Sequence, residues 1–103
     1  MLRTALVCWW SAGPEMRILV AEDDESIRKF LVQGLREASY AVDGFADGEE
    51  ALLAALGFDY DVLVLDIGLP VTDGLDVCRR VRAAGRKPPI LFLTARDTVP
   101  ECP

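Results

Sequence analysis

Histidine is absent from this 103-residue sequence, and basic residues are outnumbered, with 11 lysines and arginines against 17 aspartates and glutamates and a net charge of −6. Without histidine the chain can form neither a Ser-His-Asp nor a Cys-His catalytic system, nor a His-ligated zinc site. The negative charge argues against direct nucleic-acid binding by this segment. Any chemistry must therefore rest on carboxylates, hydroxyls and metals that prefer oxygen ligands.

Cysteines and long apolar runs are also few. The three cysteines lie far apart without C-x-x-C spacing, so we expect reduced thiols, with Cys78 as a small core residue. No run reaches the roughly 18 apolar residues that a membrane span needs, so we expect a cytoplasmic protein with no membrane partner. Apolar residues are nevertheless plentiful, at 51% of the chain, which is enough to build the core of one small domain.

The first fifteen residues do not match the pattern that follows. They combine a short apolar patch containing Trp9 and Trp10 with the turn-forming sequence Ala12-Gly13-Pro14. We interpret residues 1–15 as an N-terminal extension that is disordered or loosely docked. A membrane-touching or partner-binding aromatic tail is the less favoured alternative.

From Met16 onward, strand-like and helix-like patterns alternate. Short apolar runs predict strands at residues 17–21, 41–45, 62–65 and 90–93. Apolar residues at three- and four-residue spacing predict a helix between the first two strands, its stripe formed by Ile27, Phe30, Leu31, Gly34, Leu35 and Ala38. Asp47 and Asp73 each precede a helix as capping residues, and Gly57 and Gly85 mark the helix ends. This order predicts an α/β fold with a parallel sheet and helices on both faces.

Polar residues follow three of the predicted strands. Glu22, Asp23 and Asp24 come after the first strand, Asp66 after the third, and Thr94 after the fourth. The carboxyl ends of parallel strands meet at one edge of the sheet, where ligands bind. Two carboxylates about 4 Å apart repel by about 4 kcal/mol at an effective dielectric near 20, which a Mg²⁺ ion would offset. The alternatives are that Asp66 only caps a turn, and that Asp24 and Glu25 only favour a helix start.

Three stretches together resemble the receiver domain of bacterial two-component response regulators, most closely the OmpR/PhoB-type transcriptional regulators. They are RILVAEDDESIR, DYDVLVLDIGLPVTDGLDVCRRVR and PPILFLTAR. The resemblance implies an α/β, flavodoxin-like (CheY-like) doubly wound parallel sheet with strand order 2-1-3-4, truncated after the fourth strand. The implied domains are the extension at 1–15, a partial receiver domain at 16–96 and a truncated tail at 97–103.

The resemblance also assigns roles to individual residues. It implies that Asp66 is a phosphoacceptor, phosphorylated by a sensor histidine kinase. Mg²⁺ would be bound by Glu22, Asp23, Asp66 and the backbone carbonyl of Gly68. Thr94 corresponds to the switch hydroxyl. Such a module takes part in Mg²⁺-dependent phosphotransfer without being a turnover enzyme.

The sequence departs from the family pattern after the fourth strand. The family continues with a fifth strand that carries a phosphate-binding lysine, whereas the only lysines here are Lys29 and Lys87. We therefore expect the DNA-binding domain to be missing and the open sheet edge to favour self-association. The alternative functions are a phosphorylation-independent interaction fragment or a non-functional truncated product. A third, weaker option is a hydrolase with an Asp nucleophile, but it would want an aspartate where Gly68 stands.

Overall fold

A computed structural model describes residues 16–93 of the chain, and within them four strands alternate with three helices. The elements are β1 (Arg17–Ala21), α1 (Glu25–Glu37), β2 (Ala41–Phe45), α2 (Gly48–Gly57), β3 (Val62–Asp66), α3 (Gly74–Ala83) and β4 (Ile90–Leu93). All strand pairs are parallel, in the order β2-β1-β3-β4. The predicted fold and strand order are confirmed. The extension at 1–15, the tail at 97–103 and Thr94 lie outside the described residues.

Each helix begins at an aspartate that caps it. Asp24 accepts a hydrogen bond from the Ile27 amide at 3.1 Å, and the capping carboxylates of α2 and α3 make the same bond at 2.8 Å. The α2 and α3 caps are Asp47 and Asp73, as predicted. These bonds satisfy backbone donors that would otherwise lack partners at a helix start. Because each helix follows a parallel strand, all three helix starts lie at the carboxyl edge of the sheet.

One side of the sheet, called here the two-helix face, is covered by α2 and α3. Its strand residues are Leu19, Ala21, Leu63 and Leu65, and all four are fully buried. Val77 and Val81 of α3 are also fully buried in this cluster, as is Ala51 of α2. The main hydrophobic core of the described residues therefore lies on this side.

The opposite side, called here the one-helix face, is covered by α1 alone among the described elements. Its buried strand residues are Ile18, Val20, Val42 and Val64, against which Leu31, Val32 and Leu35 of α1 pack. No residue of α1 is itself buried, and the Phe30 side chain is 77% exposed. The apolar stripe predicted for this helix is present, but only part of it contacts the sheet. Leu31 and Leu35 pack against the strands, whereas Phe30 does not.

Cys78 occupies the core position expected for it. The residue lies on α3 and is fully buried. It is disulfide-bonded in the structure, however, so the prediction of a reduced thiol is wrong for this residue.

Candidate metal centre

Three acidic side chains meet at the carboxyl edge of the sheet. Glu22 and Asp23 directly follow β1, and Asp66 is the last residue of β3. The two strands are neighbours, and Ala21 pairs with Leu65 in the register between them. One carboxylate oxygen from each acid lies within 4.8 Å of the others. The structure thus brings together three of the residues predicted to bind metal, while their roles remain predictions.

Glu22 is the most enclosed of the three acids, with 5% of its surface exposed. Its carboxylate accepts a hydrogen bond from the Asp24 amide at 3.0 Å. The pKa of Glu22 is raised from 4.5 to about 7, mainly by burial and secondarily by the neighbouring Asp23 and Asp66, against the lowering effect of the Asp24 amide. The site therefore holds more negative charge than its own groups compensate.

Asp66 makes a turn contact as well as belonging to the acid cluster. Its Oδ1 atom accepts a hydrogen bond from the Gly68 amide at 3.2 Å. The alternative interpretation of Asp66 as a turn residue is thus partly correct, and it is compatible with the metal site because a carboxylate can accept several bonds. Gly68 itself is exposed and lies in the turn that follows β3.

The loop after Asp66 is packed tightly against two helix starts. A Cβ atom placed on Gly74, the first residue of α3, would lie 2.3 Å from the backbone oxygen of Asp66. A Cβ atom on Gly48, the first residue of α2, would lie only 1.5 Å from the backbone oxygen of Thr72. These glycines allow the backbone to approach closely and thereby fix the loop that carries the end of β3.

Hydrogen bonds reinforce this loop. The Pro70 carbonyl accepts from the amides of Gly48 and Thr72, at 3.1 and 2.8 Å. The buried Thr72 donates its hydroxyl proton to Glu49 of α2 at 3.2 Å. Between Pro70 and Thr72, Val71 is 81% exposed and adopts the left-handed conformation with φ of 69°. Sequence reasoning did not identify Thr72 or this contact with α2, because it joins segments that are 23 residues apart.

One further contact to the acidic loop was missed from sequence. The Arg28 guanidinium on α1 donates a hydrogen bond to the backbone carbonyl of Glu22 at 2.8 Å. No spacing rule identifies such a bond, since it depends on where a long side chain finds room. Thr94, predicted to lie at this edge, is outside the described residues.

The donor set of this centre suits a hard divalent cation. All three side chains offer carboxylate oxygens, which Mg²⁺ prefers. The raised pKa of Glu22 reflects burial first and the neighbouring Asp23 and Asp66 second, and a bound cation would compensate the charge that both disfavour. The residues present therefore fit a magnesium site.

Comparison with known proteins identifies the family. A family model described as the response regulator receiver domain matches residues 18–102. The chain therefore belongs to the response regulator receiver domain family, which confirms the resemblance seen in the sequence.

Several similar proteins are named as regulators. The chain is 48% identical over 86 residues to the response regulator MprA of Mycobacterium avium, covering 84% of this chain and 38% of that protein. It is 42% identical over 83 residues to the transcriptional regulatory protein PcoR of Escherichia coli, covering 81% of this chain and 37% of that one. The chain thus spans less than two-fifths of the length of these two relatives.

Solved structures show the same fold. The receiver domain of the Francisella response regulator 1452 is 31% identical and superposes with a TM-score of 0.78, covering 82% of this chain and 69% of that one. TrrA of Thermotoga maritima, solved in complex with Mg²⁺-BeF, is 38% identical with a TM-score of 0.74, covering 80% of this chain and 71% of that one.

Within residues 16–93, every helix is too short or too polar to cross a membrane.

Proposed function

We propose that this chain is a phosphoacceptor module of a two-component phosphorelay, with Asp66 accepting a phosphoryl group from a phosphohistidine on a sensor histidine kinase. The observation that carries the proposal is the convergence of Glu22, Asp23 and Asp66 at the carboxyl edge of the sheet. The chain contains no histidine, and this role requires none, because the phosphohistidine belongs to the kinase.

The transfer is a single displacement at phosphorus. A carboxylate oxygen of Asp66 bonds to the phosphorus atom while the bond from phosphorus to the kinase histidine breaks. The released imidazole keeps the electron pair of that bond, and Asp66 becomes an acyl phosphate. Positioning and electrostatic stabilisation together account for most of the catalysis in such transfers, and the Gly68 amide contact together with the packed Gly74 holds Asp66 in place.

The cofactor of this module is Mg²⁺, held by Glu22, Asp23, Asp66 and the backbone carbonyl of Gly68. When bound, Mg²⁺ supplies positive charge that neutralises the carboxylates and the phosphoryl oxygens. The hydroxyl of Thr94 is assigned the role of donating a hydrogen bond to the phosphoryl group once it is on Asp66. Support for the cofactor comes from the oxygen-only donor set and from TrrA, a relative solved with Mg²⁺-BeF.

The downstream output is regulation of transcription in the cytoplasm. This part of the proposal is supported by relatives such as PcoR, which is named a transcriptional regulatory protein. The segment itself signals through phosphorylation, neither binding nucleic acid nor turning over a substrate.

Self-association through the outer edge of β4 is a second proposal, since within residues 16–93 that strand is paired only with β3.

Phosphorylation of the purified chain tests the proposal. The protein is incubated with Mg²⁺ and acetyl phosphate, and its mass is measured before and after. We expect a gain of one phosphoryl group in the wild type and none in Asp66→Asn. Asp61→Asn is the matched control, because it alters the aspartate at the opposite end of β3, where the carboxylate accepts from the Arg17 amide at 2.7 Å and asparagine can still accept. An unmodified wild type, or a phosphorylated Asp66→Asn, would overturn the assignment.

A further inference from the structure

We propose that Arg28 is a positioning residue for the metal centre, holding the peptide unit that joins Glu22 to Asp23 in the orientation that presents both carboxylates. The inference rests on the proposed function of this site. It begins from the 2.8 Å hydrogen bond that the Arg28 guanidinium donates to the Glu22 carbonyl. This bond connects α1 directly to the loop that carries two of the three acids.

Arg28 makes this contact in preference to an ion pair. Four consecutive acidic residues, 22–25, precede it in the chain. Nevertheless, none of the ion pairs within 4.0 Å among residues 16–93 involves Arg28. Its neighbour Lys29, by comparison, pairs with Glu25 at 3.0 Å. The guanidinium of Arg28 is therefore directed at the backbone, and its charge also helps to lower the pKa of the exposed Glu25.

The carbonyl that Arg28 binds has an important place in the loop. The amide of Glu22 donates to the Phe45 carbonyl of β2 at 3.0 Å, so the residue is already fixed on its N-terminal side. Arg28 fixes its carbonyl side. Because a peptide unit is planar, fixing that carbonyl also sets the direction in which the chain enters Asp23. One residue on, the Asp24 amide is bound to the Glu22 carboxylate. Arg28 thus orients the segment from which both acids project.

A glycine on β2 gives the arginine room to reach the loop. A Cβ atom on Gly44 would lie 3.5 and 3.6 Å from the Cγ and Cδ atoms of Arg28, and 3.0 Å from Val32. The aliphatic stem of Arg28 therefore crosses the strand at the position that lacks a side chain. The branched side chain of valine at position 44 would extend into the space that this stem occupies.

The same helix contains a matched control. Arg36 lies two turns after Arg28 on α1 and donates to the backbone carbonyl of Val42 at 2.9 Å. This bond joins the same helix to β2, but it reaches no residue of the acid cluster. Loss of either bond should lower the stability of the chain to a similar degree. Only loss of the Arg28 bond should weaken metal binding.

The test is a direct Mg²⁺ titration of the full 103-residue chain by calorimetry, with melting temperatures measured in parallel without metal. Arg28→Met keeps an apolar stem and removes the donor, so we expect Mg²⁺ affinity to fall about 10-fold, the lower end of the loss seen when a group supporting a metal ligand is removed. Arg36→Met should lower the melting temperature to a similar degree and leave the affinity unchanged. Arg28→Lys, which retains a donor, should restore much of the affinity.

The outcomes separate this inference from the proposed function. A wild-type chain that binds no Mg²⁺ would overturn the metal site itself. A wild type that binds Mg²⁺ with an affinity equal to that of Arg28→Met, or an Arg36→Met variant that loses as much affinity as Arg28→Met, would overturn the role of Arg28 alone. Should Arg28→Met fail to fold, Gly44→Val in a Val32→Ala background decides, because alanine at 32 relieves the 3.0 Å contact with α1 and valine at 44 then displaces the arginine stem. Weakened Mg²⁺ binding by this double variant relative to Val32→Ala alone supports the inference, and equal affinity contradicts it.

Discussion

The two faces of the sheet are built from similar strand residues but are covered differently. On the two-helix face, α2 and α3 bury the strand residues fully, and both helices contribute buried residues of their own. On the one-helix face, α1 packs with partly buried residues only. Leu91 of β4, which shares the direction of Val64 in the neighbouring strand, is 60% exposed. Among the described residues, most apolar burial is therefore on one side.

This difference separates stability from function. The helix that carries the Asp24 cap and the Arg28 contact to the acidic loop is the one with the fewest buried apolar contacts. Local unfolding requires least free energy where apolar burial is low. The segment that presents Glu22 and Asp23 is thus supported on one side by the least firmly packed helix of the described fold. The polar contacts of that helix should therefore matter more for the geometry of the segment than its apolar packing does.

The largest expected effect comes from truncating one leucine on each face. Leu63→Ala removes a fully buried side chain from the two-helix face and should lower the free energy of unfolding by about 2 to 5 kcal/mol. Leu91→Ala removes an exposed side chain from the other face and should change it by less than about 0.5 kcal/mol. Urea denaturation of both variants makes the measurement. Equal losses would show that the faces contribute alike.

A change of pH acts on Glu22, the residue that directly follows β1. Unfolded Glu22 has the ordinary pKa of 4.5, whereas in the folded chain its pKa is raised to about 7. The folded state therefore binds the proton more tightly, and this stabilisation is complete below pH 4.5 and lost as the pH rises through 7. The metal-free chain should lose on the order of 3 kcal/mol across this window.

Melting curves with a chelator present, recorded on both sides of the window, measure this loss. Glu22→Gln should remove the Glu22 contribution to the slope. Glu25→Gln is the control, because this exposed glutamate has its pKa lowered by the bond to Lys29. If the slope of Glu22→Gln matched that of the wild type, the titration would belong to other groups.

The smallest effects come from adding a single methyl group, and they should have opposite signs on the two faces. Gly48→Ala places a Cβ atom 1.5 Å from the Thr72 carbonyl oxygen and should destabilise the chain by about 1 to 3 kcal/mol. Gly34→Ala, within α1, meets no atom within 4 Å and should stabilise the chain by about 0.5 to 1 kcal/mol, because alanine favours a helix. Thermal melts of both variants test this, and a loss from Gly34→Ala would mean that α1 is more closely covered than described.

Much of the fold could be predicted because its signals are local. The capping pattern at Asp47 and Asp73 and the apolar run before Asp66 depend on neighbouring residues only, and the structure has these elements where they were expected. The meeting of Glu22 with Asp66 could also be predicted, because parallel strands share a carboxyl edge.

The remaining features depend on contacts between distant segments. The low burial of Phe30 follows from which strands α1 covers, and helical periodicity does not report this. The bond from Arg28 to Glu22 requires the free space above Gly44, on a different strand. The close approach of Gly48 to Thr72 likewise joins a helix start to a loop far along the chain. Sequence periodicity describes single elements, whereas these details arise where elements meet.

The three capped helix starts have an electrostatic consequence for the edge that they share. Each helix carries the equivalent of about half a positive charge at its N-terminus. Since α1, α2 and α3 all begin at the carboxyl edge of the sheet, their backbone dipoles converge on the region where Glu22, Asp23 and Asp66 lie. The capping carboxylates of Asp24, Asp47 and Asp73 offset this partial charge, so the edge as a whole stays negative and favours a cation.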